Sequence, residues 1–165
     1  MRSTILRGAV AAGAAVVSGY QHLLPVAEAA VARAVRAFLQ AATPEIGFLG
    51  EEDGVHSTGE MQWVLDAIDG TANFVRGIPL CAVSLGLLHG DDAVLGVIEA
   101  PFLGNRYAAA RGDGATVDGK PIRVSDTSRL SDAVVAIGDY AVGPDAAARN
   151  RSRLSLTARL ASECG

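Results

Sequence analysis

The sequence predicts an α+β unit in which an antiparallel sheet carries its helices on one face, and three observations lead there. Short apolar runs follow one another closely from Cys81 to Val124, separated by hairpin-type turns. One longer stretch, Val26 to Ala41, repeats its apolar residues at helical spacing instead. Half of the 165 residues are hydrophobic and 19% are charged, a balance that can bury a core and lies far from that of disordered chains. The length suits one domain of about 100 to 200 residues, or one and a piece of a second. The apolar fraction is rich in small residues, with 30 Ala and 19 Gly against eight aromatics, so a mean hydropathy of +0.28 does not indicate a membrane protein.

The elements follow in order. Gly8 to Ala27 is the longest run without Asp, Glu, Lys or Arg, but Gln21, His22, Pro25 and its Ala-Gly-Val character make it a weak candidate for a bilayer span. Arg2 and Arg7 ahead of Gly8 to Val17 also fit a short secretory leader, although an Ala-rich first helix explains the same letters. In the Val26 to Ala41 helix, Val31, Val35, Phe38 and Leu39 line one stripe with Ala27, Ala34 and Ala42, and the helix should stop before Pro44. Ile46 to Leu49 reads as a short strand and Gly54 to Gly59 as a polar loop. Gln62 to Leu65 is a second strand that delivers Asp66 at its end. Cys81 to Leu88, a His89-Gly90-Asp91-Asp92 turn and Ala93 to Ala100 form a hairpin. Further strands are expected at Arg106 to Arg111, Pro121 to Val124 and Ala133 to Ile137, and a helix at Asp145 to Ser162. Close strands with tight turns favour antiparallel pairing, with helices segregated to one side.

A net charge of −4 excludes general nucleic-acid binding, which needs a basic surface. Between Arg36 and Arg76 there is no Lys or Arg, whereas Glu45, Glu51, Glu52, Asp53, Glu60, Asp66 and Asp69 all fall there, leaving the rest of the chain at +3. Such carboxylates form either a solvated acidic face or, if they converge, a seat for a hard cation. Cys81 and Cys164 do not make a disulfide framework, which points to a reducing cytoplasm.

Chemistry concentrates in Trp63-Val64-Leu65-Asp66-Ala67-Ile68-Asp69-Gly70-Thr71-Ala72-Asn73-Phe74, preceded by Gly50-Glu51-Glu52. Asp66 and Asp69 can turn toward one point if the chain bends sharply between them, and the bend exposes the Ile68 carbonyl. Carboxylates with a carbonyl make an all-oxygen ligand set, which suits Mg²⁺ rather than zinc. Gly70, Thr71 and Ala72 are small and can open a helix whose free N–H groups attract phosphate. A cation seat beside an anion-binding turn is what metal-assisted phosphoryl transfer requires.

Gly-Glu-Glu followed by Trp-x-x-Asp-x-Ile-Asp-Gly-Thr-x-Asn-Phe closely resembles the inositol monophosphatase family of Mg²⁺-dependent, lithium-sensitive phosphatases. The match continues through Gly77-Ile78-Pro79, Val83-Ser84-Leu85-Gly86, Gly96-Val97-Ile98, Ala110-Arg111-Gly112-Asp113-Gly114-Ala115 and Gly119-Lys120-Pro121-Ile122. The resemblance implies a layered α/β sandwich of the sugar-phosphatase type and hydrolysis of a small phosphate monoester by metal-activated water. It implies Glu51, Asp66, the Ile68 carbonyl and Asp69 as metal ligands, and Asp69, Gly70 and Thr71 as the substrate-binding residues. Glu51 and Thr71 then act on the attacking water, with Glu52 supporting, Trp63 and Phe74 in the core and Asn73 stabilising the turn.

The sequence departs from the family pattern in three ways. The water-polarising aspartate of the early helix falls on Glu28 by spacing or on Ala30 by local pattern. A proline between the two motif aspartates is replaced by Ala67. The late Trp-Asp motif is absent, because Trp63 is the only Trp. These departures imply an N-terminal metal-binding domain over residues 1–135 and, over 136–165, the start of a truncated second α/β domain. The expected partners are a small phosphorylated substrate and a second copy in a homodimer, without nucleic acid or membrane. A noncatalytic remnant that holds metal without turnover is the alternative.

Overall fold

The structure is a computed structural model, and it describes residues 7–11, 13–14, 24–50, 54–55, 59–136, 140–141 and 143–163. The chain divides into two compact units, Met1–Arg123 and Val124–Gly165. In the first unit residues 7–11 and 13–14 are helical. There follow α1 (Leu24–Ala42), β1 (Gly47–Gly50), β2 (Gly54–Val55), β3 (Met61–Asp69) and α2 (Thr71–Val75). The remaining strands are β4 (Ala82–His89), β5 (Asp92–Ala100), β6 (Asn105–Ala110), β7 (Gly114–Val117) and β8 (Lys120–Ile122).

The eight strands form one sheet in the order β2-β1-β3-β4-β5-β6-β7-β8. Every neighbouring pair is antiparallel except β1 and β3, which run parallel with Gly50 beside Leu65. The sheet is therefore mixed, not wholly antiparallel as the hairpin signals suggested. The reason lies in β2: Gly54–Val55 reverses the chain on the outer side of β1, and a second reversal lays β3 along the inner side in the original direction. Gly54 and Val55, expected in a loop, are thus paired, although residues 56–58 of that loop lie outside the described residues. Beyond β3 the sheet is a meander. The β4–β5 hairpin turns at Gly90-Asp91, where Gly90 adopts φ +59, a left-handed value that glycine reaches without strain. The strand β7, between the turn sequences Gly112-Asp113-Gly114 and Asp118-Gly119-Lys120, was not among the expected elements.

One face of the sheet holds the core. Ala27, Val31, Val35 and Leu39 of α1, spaced four residues apart, are almost fully buried against Trp63, Leu65 and Ile68 of β3, Val83, Leu85 and Leu87 of β4, and Val97 of β5. Each of the Val, Leu and Ile side chains among them contributes roughly 1.5–3 kcal/mol by leaving water. Ala9 and Val10 join the same cluster. A Cβ on Gly13 would lie 3.1 Å from Val31 and Val35 and 3.3 Å from Val83, so the missing side chain is what lets the backbone approach. Phe38, counted in the apolar stripe, is instead 39% exposed and rests on Gly8. A buried polar relay fixes the end of α1: Trp63 Nε1 donates to Thr43 Oγ1 over 3.0 Å, and that hydroxyl donates to the Leu39 carbonyl over 2.9 Å.

Among the described residues the opposite face is partly exposed. Register puts Val64, Gly86, Gly96, Ala109, Ala115 and Ile122 in one row across the strands, and Asp66, Ser84, Ile98, Tyr107, Val117 and Lys120 in the next. Ile98, Tyr107 and Ile122 are exposed there.

In the second unit a 3₁₀ turn at Leu130–Asp132 precedes α3 (Ala146–Glu163). The strand expected at Ala133 to Ile137 does not form over residues 133–136, and Ile137 lies outside the described residues. A short β-branched run needs a neighbouring ladder, and none of the described strands pairs with it, so Val134 is fully exposed. Asn150 holds the approach to α3: its Oδ1 accepts the Ala141 N–H over 2.7 Å, and its Nδ2 donates to the Ala141 carbonyl over 2.8 Å. No helix among the described residues is long and apolar enough to cross a membrane.

Candidate active site

Asp66 and Asp69 both lie within β3, so Asp66 does not end its strand as expected but stands three residues inside it. Side chains alternate along a strand, and an odd separation of three would send the two carboxylates to opposite faces. The ladder prevents this. Asp66 pairs with Ser84 and Asp69 with Ala82, so three steps on β3 match two on β4. This one-residue bulge is the form the expected sharp bend takes, and it restores parity: Ser84 and Ala82 share a face, and therefore so do Asp66 and Asp69. The same shift turns Ile68 inward, 2% exposed, onto the face of Trp63 and Leu65. Ala67, at the position of the expected proline, lies in the bulge and is partly buried.

The chain then turns at Gly70, φ +86, into the single-turn helix α2. A Cβ at Gly70 would lie 2.7 Å from the Leu80 carbonyl oxygen and 3.2 Å from Cys81 Cα, so only glycine fits this close crossing. Thr71 Oγ1 donates to the Ile68 carbonyl over 3.0 Å. That bond ties the hydroxyl expected at the water to the carbonyl expected at the metal, a link the sequence did not disclose. Phe74 is buried, as the core role of this residue requires. Cys81 is buried behind Gly70, and burial first, then the negative charge of Asp69, pushes its thiol pKa up.

The structure thus places Asp66, Ile68 and Asp69 in the last residues of β3 and Gly70 and Thr71 in the turn that leads into α2. Glu51 and Glu52 lie outside the described residues; in the chain they follow directly on Gly50, which is in register beside Leu65. Among the described residues no three His, Cys, Asp or Glu side chains converge. Glu28 and Ala30, the alternatives for the early-helix acid, are both partly buried in α1. The donors at hand are all oxygen, with two carboxylates sharing a face and one carbonyl between them in sequence, which fits a hard cation such as Mg²⁺.

Comparison with known proteins places this turn in context. The model of the inositol monophosphatase family matches residues 3–154. Among curated relatives, a fructose-1,6-bisphosphatase/inositol-1-monophosphatase of Aquifex aeolicus is 40% identical over 96 residues, 58% of this chain and 36% of that protein. A histidinol-phosphatase of Streptomyces coelicolor is 39% identical over 125 residues, 69% of this chain and 47% of that protein. The solved inositol monophosphatase of Anabaena (Nostoc) sp. PCC 7120 superimposes with a TM-score of 0.74 at 37% identity, covering 78% of this chain and 51% of that one. The chain therefore spans a third to a half of the length of these relatives. The matched residues include the whole Asp66 to Phe74 turn, its mixed sheet and the helix behind it, and on this ground the chain belongs to the inositol monophosphatase family.

Proposed function

We propose that this chain is the metal-binding part of a Mg²⁺-dependent phosphatase that hydrolyses a small phosphate monoester. The observation that carries the reading is the bulge between Asp66 and Asp69, which puts both carboxylates on one face beside a turn that only glycine can make. In this reading Asp66, Asp69, the Ile68 carbonyl and Glu51 hold the metal. When bound there, a divalent ion would supply charge to neutralise phosphate oxygens and to lower the pKa of a water. Gly70 and Thr71 offer backbone N–H groups to the substrate phosphate. Thr71 donates its hydroxyl hydrogen bond to the Ile68 carbonyl, so the lone pairs on Oγ1 are left to accept a hydrogen bond from the attacking water, which Glu51 helps to orient. Two carboxylates at a shared site repel each other, and relief of that repulsion supports cation affinity without any basic side chain between Arg36 and Arg76.

The names of the relatives support the substrate class, a phosphorylated polyol, sugar or amino alcohol of small size. Residues 136–165 belong in this reading to the beginning of a second α/β domain, and the protein works in the cytoplasm as a homodimer. The exposed apolar residues on the sheet face opposite α1, Ile98, Tyr107 and Ile122, favour such association. The test is phosphate release from inositol monophosphate, histidinol phosphate and fructose bisphosphate, with Mg²⁺ and with chelator, beside a full-length relative. Release that depends on Mg²⁺ but falls far below the relative is expected. Metal binding with no metal-dependent release would instead identify a noncatalytic metal-binding piece.

A further inference from the structure

We infer that Asn73 is a positioning residue that clamps the Asp69-Gly70-Thr71 turn against Leu80 and Cys81, an inference that rests on the metal-site reading above. Four hydrogen bonds meet at this one residue. Its backbone N–H donates to the Gly70 carbonyl over 2.8 Å, and its own carbonyl accepts the N–H groups of Arg76 at 3.1 Å and Ile78 at 2.9 Å. Its side-chain Nδ2 donates to the Leu80 carbonyl over 2.8 Å. That last bond does what the other three cannot. The Leu80 carbonyl oxygen is the atom a Gly70 Cβ would strike, so Asn73 holds the β4 approach directly on the glycine that follows Asp69. Asp69 in turn pairs with Ala82, two residues beyond Leu80, so the ladder and the clamp hold the β4 approach on either side of Gly70, directly after the carboxylate.

The choice of Asn follows from this geometry. A carbonyl acceptor needs a donor, and the amide of Asn supplies one on a short side chain without adding charge next to Asp69. Aspartate has the same shape but no donor, and alanine leaves the Leu80 carbonyl without its side-chain partner. Partners that orient metal ligands typically change metal affinity by about 10–100-fold when removed. The loss of the clamp should also expose Cys81, which is 6% exposed and lies directly behind Gly70.

The experiment compares wild type, Asn73→Ser and Asn73→Ala by Mn²⁺ titration and by the rate of Cys81 alkylation with iodoacetamide, resolved from Cys164 by mass spectrometry. Manganese affinity should fall by about tenfold in Asn73→Ala and less in Asn73→Ser, which keeps a shorter donor, while Cys81 alkylation rises in the same order. Unchanged affinity in folded variants overturns the inference, whether or not alkylation changes. If Asn73→Ala does not fold, the Asn73→Ser comparison decides alone, with the same two criteria. A wild-type chain that binds no Mn²⁺ defeats the metal-site reading itself; the clamp then stands or falls on Cys81 alkylation.

Discussion

At Gly70 the backbone takes φ +86, and a Cβ would come within 2.7 Å of a backbone oxygen that Asn73 already holds in place. An alanine there meets a left-handed penalty of about 1–2 kcal/mol and a contact that no rotamer change can relieve. Gly70→Ala should therefore lose at least about 2 kcal/mol in urea denaturation, and a loss below about 0.5 kcal/mol would show that the turn is not fixed as described. Trp63 offers a second test. Its indole N–H is buried and satisfied by the Thr43 hydroxyl, so Thr43→Val strands a donor while keeping the shape of the side chain. A cost of about 1–3 kcal/mol is expected, and a neutral substitution would mean that the relay contributes nothing.

The strand β3 explains why part of the site was legible in the sequence and part was not. The motif Asp66-x-x-Asp69-Gly70-Thr71 announced its oxygen donors by residue type alone. A sharp bend between them was expected, but its form did not show, because periodicity reads one strand and a bulge is a property of two. The odd separation of the two acids was the available signal: on a strand it requires either opposite faces or an extra residue. The same limit accounts for Gly54–Val55, whose polar surroundings suggested a loop although β1 supplies a partner, and for Ala133 to Ile137, where an apolar run suggested a strand although no described strand pairs with it. The helix α1 was legible because its four-residue repeat is written in one segment. At the far end of the meander, Asp118 occupies φ +50 and accepts the Arg106 N–H over 2.8 Å and the Asn105 side chain over 3.1 Å. The Arg106 backbone bond first, then the Asn105 bond, hold its carboxyl below the ordinary carboxylate range. A lowered folded-state pKa stabilises above the unfolded value, and that contribution disappears as pH falls through the folded value. Asp118→Asn keeps the shape and the turn preference, so its deficit in melting temperature at neutral pH should close on acidification. A deficit that does not change with pH would assign the effect to shape instead of charge.

In the first unit α1 packs on one face of the sheet, and on the other Ile98, Tyr107 and Ile122 are exposed. Large contiguous apolar patches are rare on monomers, so exposed Ile98, Tyr107 and Ile122 should make the 165-residue chain self-associate with rising concentration. Sedimentation should show this, and Ile98→Lys, in the row that begins at Asp66, should weaken it; a monodisperse monomer at every concentration would contradict it. The same face presents both aspartates, which links the assembly of the molecule to its chemistry. In the proposed function the bulge makes Asp66 and Asp69 one metal site. Calorimetric titration of wild type and Asp66→Asn with Mg²⁺ and Mn²⁺, at neutral pH and again under acid conditions, measures it directly. The wild type should bind, with affinity falling as carboxylates protonate, and Asp66→Asn should bind far more weakly while keeping its fold. Identical titrations for the two proteins would remove Asp66 from the site and contradict the account.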